Sequence, residues 1–198
     1  MNAIMIKLGN ILYRWRGVIG FCAFWLVWFF SQPVWQRIWV ALPFTLIGLI
    51  LRFWAVGYLD KESRDKELKV QTLVSAGPYR FIRNPIYLGN FFLTLSVLLA
   101  FNLKFYFFIV ILILFGVYYG LIIKAEEDFL IRKFKEKYLF YYQTTGAVLP
   151  KYFFKSTYGK INQRYNLRNA IREFQTVGIM FLIYWAVYLK SFILASES

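Results

Sequence analysis

Three groups of polar residues in this 198-residue chain have the types and spacing to do chemistry. The first lies between Leu73 and Asn90, LVSAGPYRFIRNPIYLGN. Gly77-Pro78 is a turn signal. Asn84-Pro85 reads as a helix start, with Asn at the N-cap and Pro at the first helical position, where a missing N–H costs nothing. The unpaired N–H groups of that helix start, with Arg80 and Arg83 beside them, suit an anionic group such as a carboxylate or phosphate. The plain alternative is a loop-to-membrane-helix junction with snorkelling arginines. The second group is Arg52, inside an apolar run. The third is Glu126-Glu127, followed by Tyr138 and Tyr142 on one helix face and then Pro150. Glu127 can pair with Lys124 three residues back. Glu126 has only Ile122, Ile123, Phe129 and Leu130 as helical neighbours, so its partner must come from elsewhere: Arg52, Arg80, Arg83 or a bound ligand. Histidine is absent, and the single Cys22 lies in an apolar run. That removes histidine acid–base chemistry, a disulfide framework and any Cys- or His-based metal site; no metal is expected.

The elements that must position these groups are membrane helices. The chain is 60% hydrophobic with a mean hydropathy of +0.50, above the soluble norm, and its apolar residues come in long blocks. Residues 1–16 read as an interfacial lead-in. Five spans follow: Gly17 to Trp35, Ile38 to Leu59, Pro85 to about Phe101, Phe105 to Ile123 and Val177 to Ala195. Such lengths suit a bilayer core of about 30 Å. Arg52 is then about 10 Å deep by helix rise. An ionisable residue at that depth is a functional candidate, unless it snorkels to the headgroups. No signal peptide with a small-residue cleavage site is evident, so the first span is expected to be retained.

Net charge is +14, from 24 Lys+Arg against 10 Asp+Glu. In a membrane protein such an excess marks cytoplasmic loops and anionic lipid contact, and no nucleic-acid module is visible. Lys and Arg cluster before the first span, between Lys61 and Arg83, and between Lys124 and Arg172. The intervening connections carry only Arg37 and Lys104. The alternation puts the N-terminus and both large basic segments in the cytoplasm and the C-terminus outside. The expected fold is therefore an all-α integral membrane protein with about five transmembrane helices. A site made of loops and helix ends lies at its cytoplasmic face. Residues 1–37 form a lead-in and first span, 38–150 a membrane core, and 151–198 a basic amphipathic segment and last span. The last span is expected to stand as an appendage to one compact domain. The expected location is a bacterial inner membrane.

The motif GPYRFIRNPIYLG from Gly77 to Gly89, then Glu126-Glu127, then Tyr138, Tyr142 and Pro150, resembles the isoprenylcysteine carboxyl methyltransferase family. Leu51 to Ala55 is similar to the arginine-bearing end of the preceding span in its bacterial members. The resemblance covers about residues 45–150. It implies a membrane-integral enzyme that binds S-adenosylmethionine at the cytoplasmic face. It assigns Gln71, Thr72, Leu73, Val74, Tyr79, Asn84, Pro85, Ile86, Tyr87 and Glu126 to the cofactor. Arg52 matches a substrate-side arginine, and Arg52, Arg83 and Tyr87 are the expected catalytic groups. The family's Arg-His-Pro is Arg83-Asn84-Pro85 here, and a second substrate-side arginine falls near Ile122. The Asn-Pro-x-Tyr-x-Gly form and the Glu pair also resemble the phosphatidylethanolamine N-methyltransferases.

Methyl transfer from a sulfonium is an in-line displacement, so alignment and exclusion of water do most of the work. A carboxylate acceptor is already ionised at neutral pH, whereas an amine must lose a proton. With no histidine, Glu127, a tyrosine or water would have to take it. The expected reaction is methyl transfer to a lipophilic acceptor entering from the bilayer, with a carboxylate first. The alternatives are phospholipid N-methylation or a non-catalytic lipid-binding protein of the same fold. The expected partners are a lipophilic or lipid substrate and the bilayer, with no nucleic acid and the oligomeric state open.

Overall fold

The computed structural model describes residues 3–59, 72–151 and 163–196. These are helical apart from turns and one isolated parallel bridge between Ile82 and Gly146. The helices are α1 (Ala3–Arg14), α2 (Arg16–Phe30), α3 (Arg37–Val56), α4 (Pro85–Ala100), α5 (Phe105–Phe134), α6 (Glu136–Thr144), α7 (Leu167–Ala170) and α8 (Phe174–Ser196). A 3-10 turn over Ile171–Glu173 joins α7 to α8. Three stretches are long and apolar enough to cross a membrane: Arg37–Val56, Phe105–Phe134 and Leu167–Ser196. The expected first and third spans are shorter apolar helices, Arg16–Phe30 and Pro85–Ala100. The first stops at Phe30 and does not reach Trp35. Ser31 Oγ bonds back to the Trp28 carbonyl at 2.8 Å, and Pro33 has no N–H with which to continue.

The frame is an antiparallel pair, α3 on α4. Gly48 and Gly89 face each other where these helices cross. A Cβ on Gly48 would lie 2.9 Å from the Gly89 carbonyl oxygen, and one on Gly89 3.0 Å from that of Gly48. The absence of both side chains lets the backbones touch, as small residues do between membrane helices. One end of the pair is closed by a cluster of Val27, Ala41, Leu98, Ala100, Phe101 and Val187, drawn from α2, α3, the end of α4 and α8. There Lys190 of α8 donates to the carbonyls of Trp28 and Ser31 at the C-terminal end of α2, where helix carbonyls lack intrahelical partners. The last helix is thus locked into the bundle and does not stand apart from it.

The expected interfacial lead-in is a helix, α1, packed antiparallel along α5, with Gly9 against Leu121 and Ala125. Asn102, with φ of 49°, turns the chain from α4 into α5, a left-handed conformation that Asn tolerates. At 30 residues, α5 is roughly 45 Å long and exceeds the roughly 30 Å of a bilayer core. Its Glu126-bearing end therefore extends toward the polar region. Lys135, with φ of 47°, breaks the helix before α6 turns back over the start of α4.

Candidate functional site

The site is built where the start of α4 meets the end of α5. Gly77 has φ of 57°, open to glycine, and Pro78 follows in a 3-10 turn, Gly77–Arg80. Tyr141 of α6 fixes this turn by donating to the Tyr79 carbonyl at 2.6 Å. Just upstream, the side-chain amide of Gln163 acts as a surrogate strand. Its Oε1 accepts from the N–H groups of Ser75 (3.1 Å) and Ala76 (3.2 Å), and its Nε2 donates to the Leu73 carbonyl (2.9 Å).

The next residues are clamped by the chain beyond α6. The N–H of Arg83 donates to the Gly146 carbonyl (2.8 Å) and that of Asn84 to the Ala147 carbonyl (3.0 Å). Arg83 Nε donates to Glu127 Oε1 at 2.8 Å, and Nη1 donates to the carbonyls of Tyr142 (2.8 Å) and Thr145. The guanidinium also lies 4.1 Å from the centre of the Tyr142 ring. Glu127 does not make the expected pair with Lys124, which is exposed. A largely buried carboxylate is better served by the guanidinium, whose donors are held in place by fixed carbonyls. Asn84 occupies the N-cap position of α4, but its side chain makes no cap bond. Its amide donates instead to Ala147 (3.2 Å) and Glu127 (3.4 Å).

Glu126 is met by none of the three arginines proposed as partners. The hydroxyl of Tyr87 donates to its Oε1 at 2.6 Å, and its Oε2 has no hydrogen bond among the described residues. Arg52 is engaged elsewhere. Nε donates to Glu173 Oε2 at 2.7 Å, Nη2 to Thr176 at 3.4 Å, and Nη1 to the Asn90 side-chain oxygen. Glu173 is 1% exposed, so the pair is desolvated on its acidic side.

Arg52, Arg83, Asn84, Tyr87 and Glu126 border one cavity of about 500 Å³, within the range of small-molecule sites. Of the residues expected at the cofactor, Leu73, Val74, Tyr79, Asn84, Pro85, Ile86, Tyr87 and Glu126 line it, as do Arg52 and Arg83. Thr72 is exposed outside the lining, and Gln71 lies outside the described residues. Tyr138 lines the cavity, whereas Tyr142 serves as the platform for Arg83. Burial, then the nearby Glu127 charge, push the Tyr138 phenol well above its ordinary value, so it is a neutral hydroxyl.

Sequence reasoning missed Tyr13, Asn90, Tyr119 and Tyr141 in the lining, and Gln163 and Glu173 behind it. Asn90, a polar residue inside an apolar run, carried a usable signal. Glu173 was masked by the basic segment around it.

Over residues 36–137 the chain matches the phospholipid methyltransferase family model, PEMT. That interval holds α3, α4, α5 and the first residues of α6, and with them Arg52, Arg83, Tyr87 and Glu126. The chain belongs to the phospholipid methyltransferase family. The resemblance to the isoprenylcysteine enzymes falls within the same group of membrane methyltransferases. No curated protein and no solved structure matches the chain. Family membership and the three long apolar helices make it an integral membrane protein of a methyltransferase family.

Proposed function

We propose that this protein transfers a methyl group from S-adenosylmethionine to the amine of a phospholipid headgroup, at the cytoplasmic face of its membrane. The observation that carries the reading is the Glu126–Tyr87 pair. Among the described residues it leaves one carboxylate oxygen without a partner, at a cavity walled by Tyr13, Tyr79, Tyr87, Tyr119, Tyr138 and Tyr141. A carboxylate among tyrosine faces suits a ligand that is cationic and rich in hydrogen-bond donors. Leu73, Val74 and Ile86 supply an apolar wall for an aromatic base. The residues present thus fit the cofactor.

When bound, S-adenosylmethionine supplies an electrophilic methyl carbon on a sulfonium and leaves as a neutral thioether. Glu126 Oε2 would accept from a hydroxyl or ammonium of the cofactor, and Tyr87 holds the carboxylate in place. Arg83 fixes the walls through the Tyr142 and Thr145 carbonyls. The attacking nitrogen must be neutral, so its proton leaves first. Glu127 is committed to Arg83, the chain has no histidine, and a tyrosine hydroxyl is already protonated at neutral pH, so water takes that proton. Arg52 is charge-balanced by Glu173, which favours a positioning role and argues against its being the receptor for an acceptor carboxylate.

The test is methyl transfer from labelled cofactor by the purified protein in mixed micelles, with phosphatidylethanolamine or a prenylated cysteine as acceptor. Label is expected in the phospholipid. With a lysine-like amine, the rate should climb about tenfold per pH unit from 7 to 9, as the neutral fraction does. A flat profile with label in the prenylcysteine ester would overturn the amine reading, and no label in either would overturn the enzyme.

A further inference from the structure

Donor and acceptor accounting along one chain of side chains fixes the direction of a hydroxyl that methyl transfer, as described, does not use. Arg52 can only donate. Its Nη1 contact therefore identifies the end of Asn90 that it meets as the oxygen. The Asn90 nitrogen is left facing Tyr119, and donates to that hydroxyl oxygen at 3.0 Å. Tyr119 accepts in this bond, so its own proton points elsewhere. Among the described residues Asn90 is the one hydrogen-bond partner of this hydroxyl, and both residues line the cavity. The ring is held by Phe115 and Tyr87, with centroids at 4.4 and 5.1 Å. The polarity starts at Glu173, which orients Arg52 through Nε at 2.7 Å and lies beyond the family match at residues 36–137.

We propose that Tyr119 is a substrate-binding residue that donates a hydrogen bond to a phosphodiester oxygen of the phospholipid acceptor, with Asn90, Arg52 and Glu173 as positioning residues that turn its proton into the cavity. This rests on the phospholipid reading and extends it. The cavity that Tyr119 lines carries both signs, with Arg16, Arg52 and Arg83 as its cations and Glu126 as its carboxylate. A zwitterionic headgroup, with phosphate and amine a few bonds apart, matches that mixture. An acyl ester carbonyl is the other acceptor oxygen a glycerolipid offers, and it is uncharged and weaker.

The test is lipid binding, read by quenching of tryptophan fluorescence in detergent-solubilised full-length protein. The probes are phosphatidylethanolamine and diacylglycerol with brominated acyl chains. Wild type should bind the phospholipid about tenfold more tightly than diacylglycerol, the yield of one hydrogen bond to a charged group. Tyr119→Phe keeps the ring and should remove that preference while leaving diacylglycerol binding and calorimetric S-adenosylmethionine affinity unchanged. Asn90→Asp places a carboxylate oxygen before the hydroxyl, which then donates to it and away from the cavity. It should reproduce the same loss, and the double variant should be no worse than either single one.

A wild type with no preference, or a Tyr119→Phe variant that keeps it, overturns the proposal. So does equal loss of both lipids, which would assign the ester carbonyl, or a parallel loss of cofactor affinity, which would make Tyr119 structural. Retained preference in Asn90→Asp overturns the polarity argument. Binding is read without turnover, so absent methyl transfer sinks the proposed reaction and leaves this result standing.

Discussion

Glu126 and Glu127 are adjacent and differ in kind. Glu127 is held by Arg83 at 2.8 Å, and Glu126 has an oxygen that makes no hydrogen bond among the described residues. Glu126→Gln should lose a charge-assisted contact of about 1.5–3 kcal/mol, roughly a 10- to 100-fold drop in S-adenosylmethionine affinity by calorimetry. Glu127→Gln should instead lower the melting temperature in detergent, because Arg83 loses its counter-charge. Equal cofactor affinity in wild type and Glu126→Gln would remove Glu126 from the site. The importance of Glu126 was legible because its neighbours along the helix are all apolar. Its partner was not: a sequence shows charge but not which uncharged hydroxyl arrives, and Tyr87 is 39 residues away. Arg83 was legible as special, but its engagement by carbonyls 59 and 62 residues later was not.

Between elements, the decisive contact is backbone on backbone at Gly48 and Gly89. A side chain at position 89 would press both on the Gly48 carbonyl and on Arg52, whose Cγ lies 2.6 Å from the Cβ position. Gly89→Val should therefore destabilise by about 1–3 kcal/mol, as overpacking does, and shift Arg52 with it. Gly116→Val, where nothing lies within 4 Å, is the control and should leave the detergent melting temperature nearly unchanged. A melting curve for Gly89→Val like that of the control would show that α3 and α4 are free to part. The start of α4 was readable from Asn84-Pro85, since Pro favours that position on its own. The packing role of α1 was not. Its Lys7 and Arg14 suggested a surface, and its contact with α5 depends on Gly9, which carries no hydrophobic signal.

At the scale of the whole molecule, the apolar blocks were readable because lipid demands long uninterrupted runs, and the helices of the structure follow them. The alternation of basic segments makes a further prediction about sidedness. In a Cys22→Ser background, cysteines at the exposed positions Lys104 and Leu149 should label from opposite sides of the membrane. Labelling from the same side would refute the proposed orientation. What the sequence hid at this scale is the way α7 and α8 close the bundle. Asn169 donates to the Leu59 carbonyl at 2.6 Å, the N–H of Asn166 to that of Gly57 at 2.7 Å, and Lys190 caps α2. Each of these joins residues more than 100 positions apart, beyond any local pattern.

The Arg52–Glu173 pair also has a consequence for how the chain is made. Glu173 is synthesised 121 residues after Arg52. At a translation rate of about 5–20 residues per second, α3 waits roughly 6–24 s with an uncompensated cation before its counter-ion leaves the ribosome. During that interval the nascent helix is a marginal guest of the bilayer, since an arginine at depth costs about 2.5–3.5 kcal/mol on insertion scales. A chain stopped after Lys151 never receives the anion. It should be cleared by membrane quality control and give a low steady-state level on immunoblots, and Arg52→Leu should restore its abundance. Equal abundance of the stopped chain with either residue would mean that Arg52 finds its accommodation without α8, and that assembly does not wait for the end of synthesis.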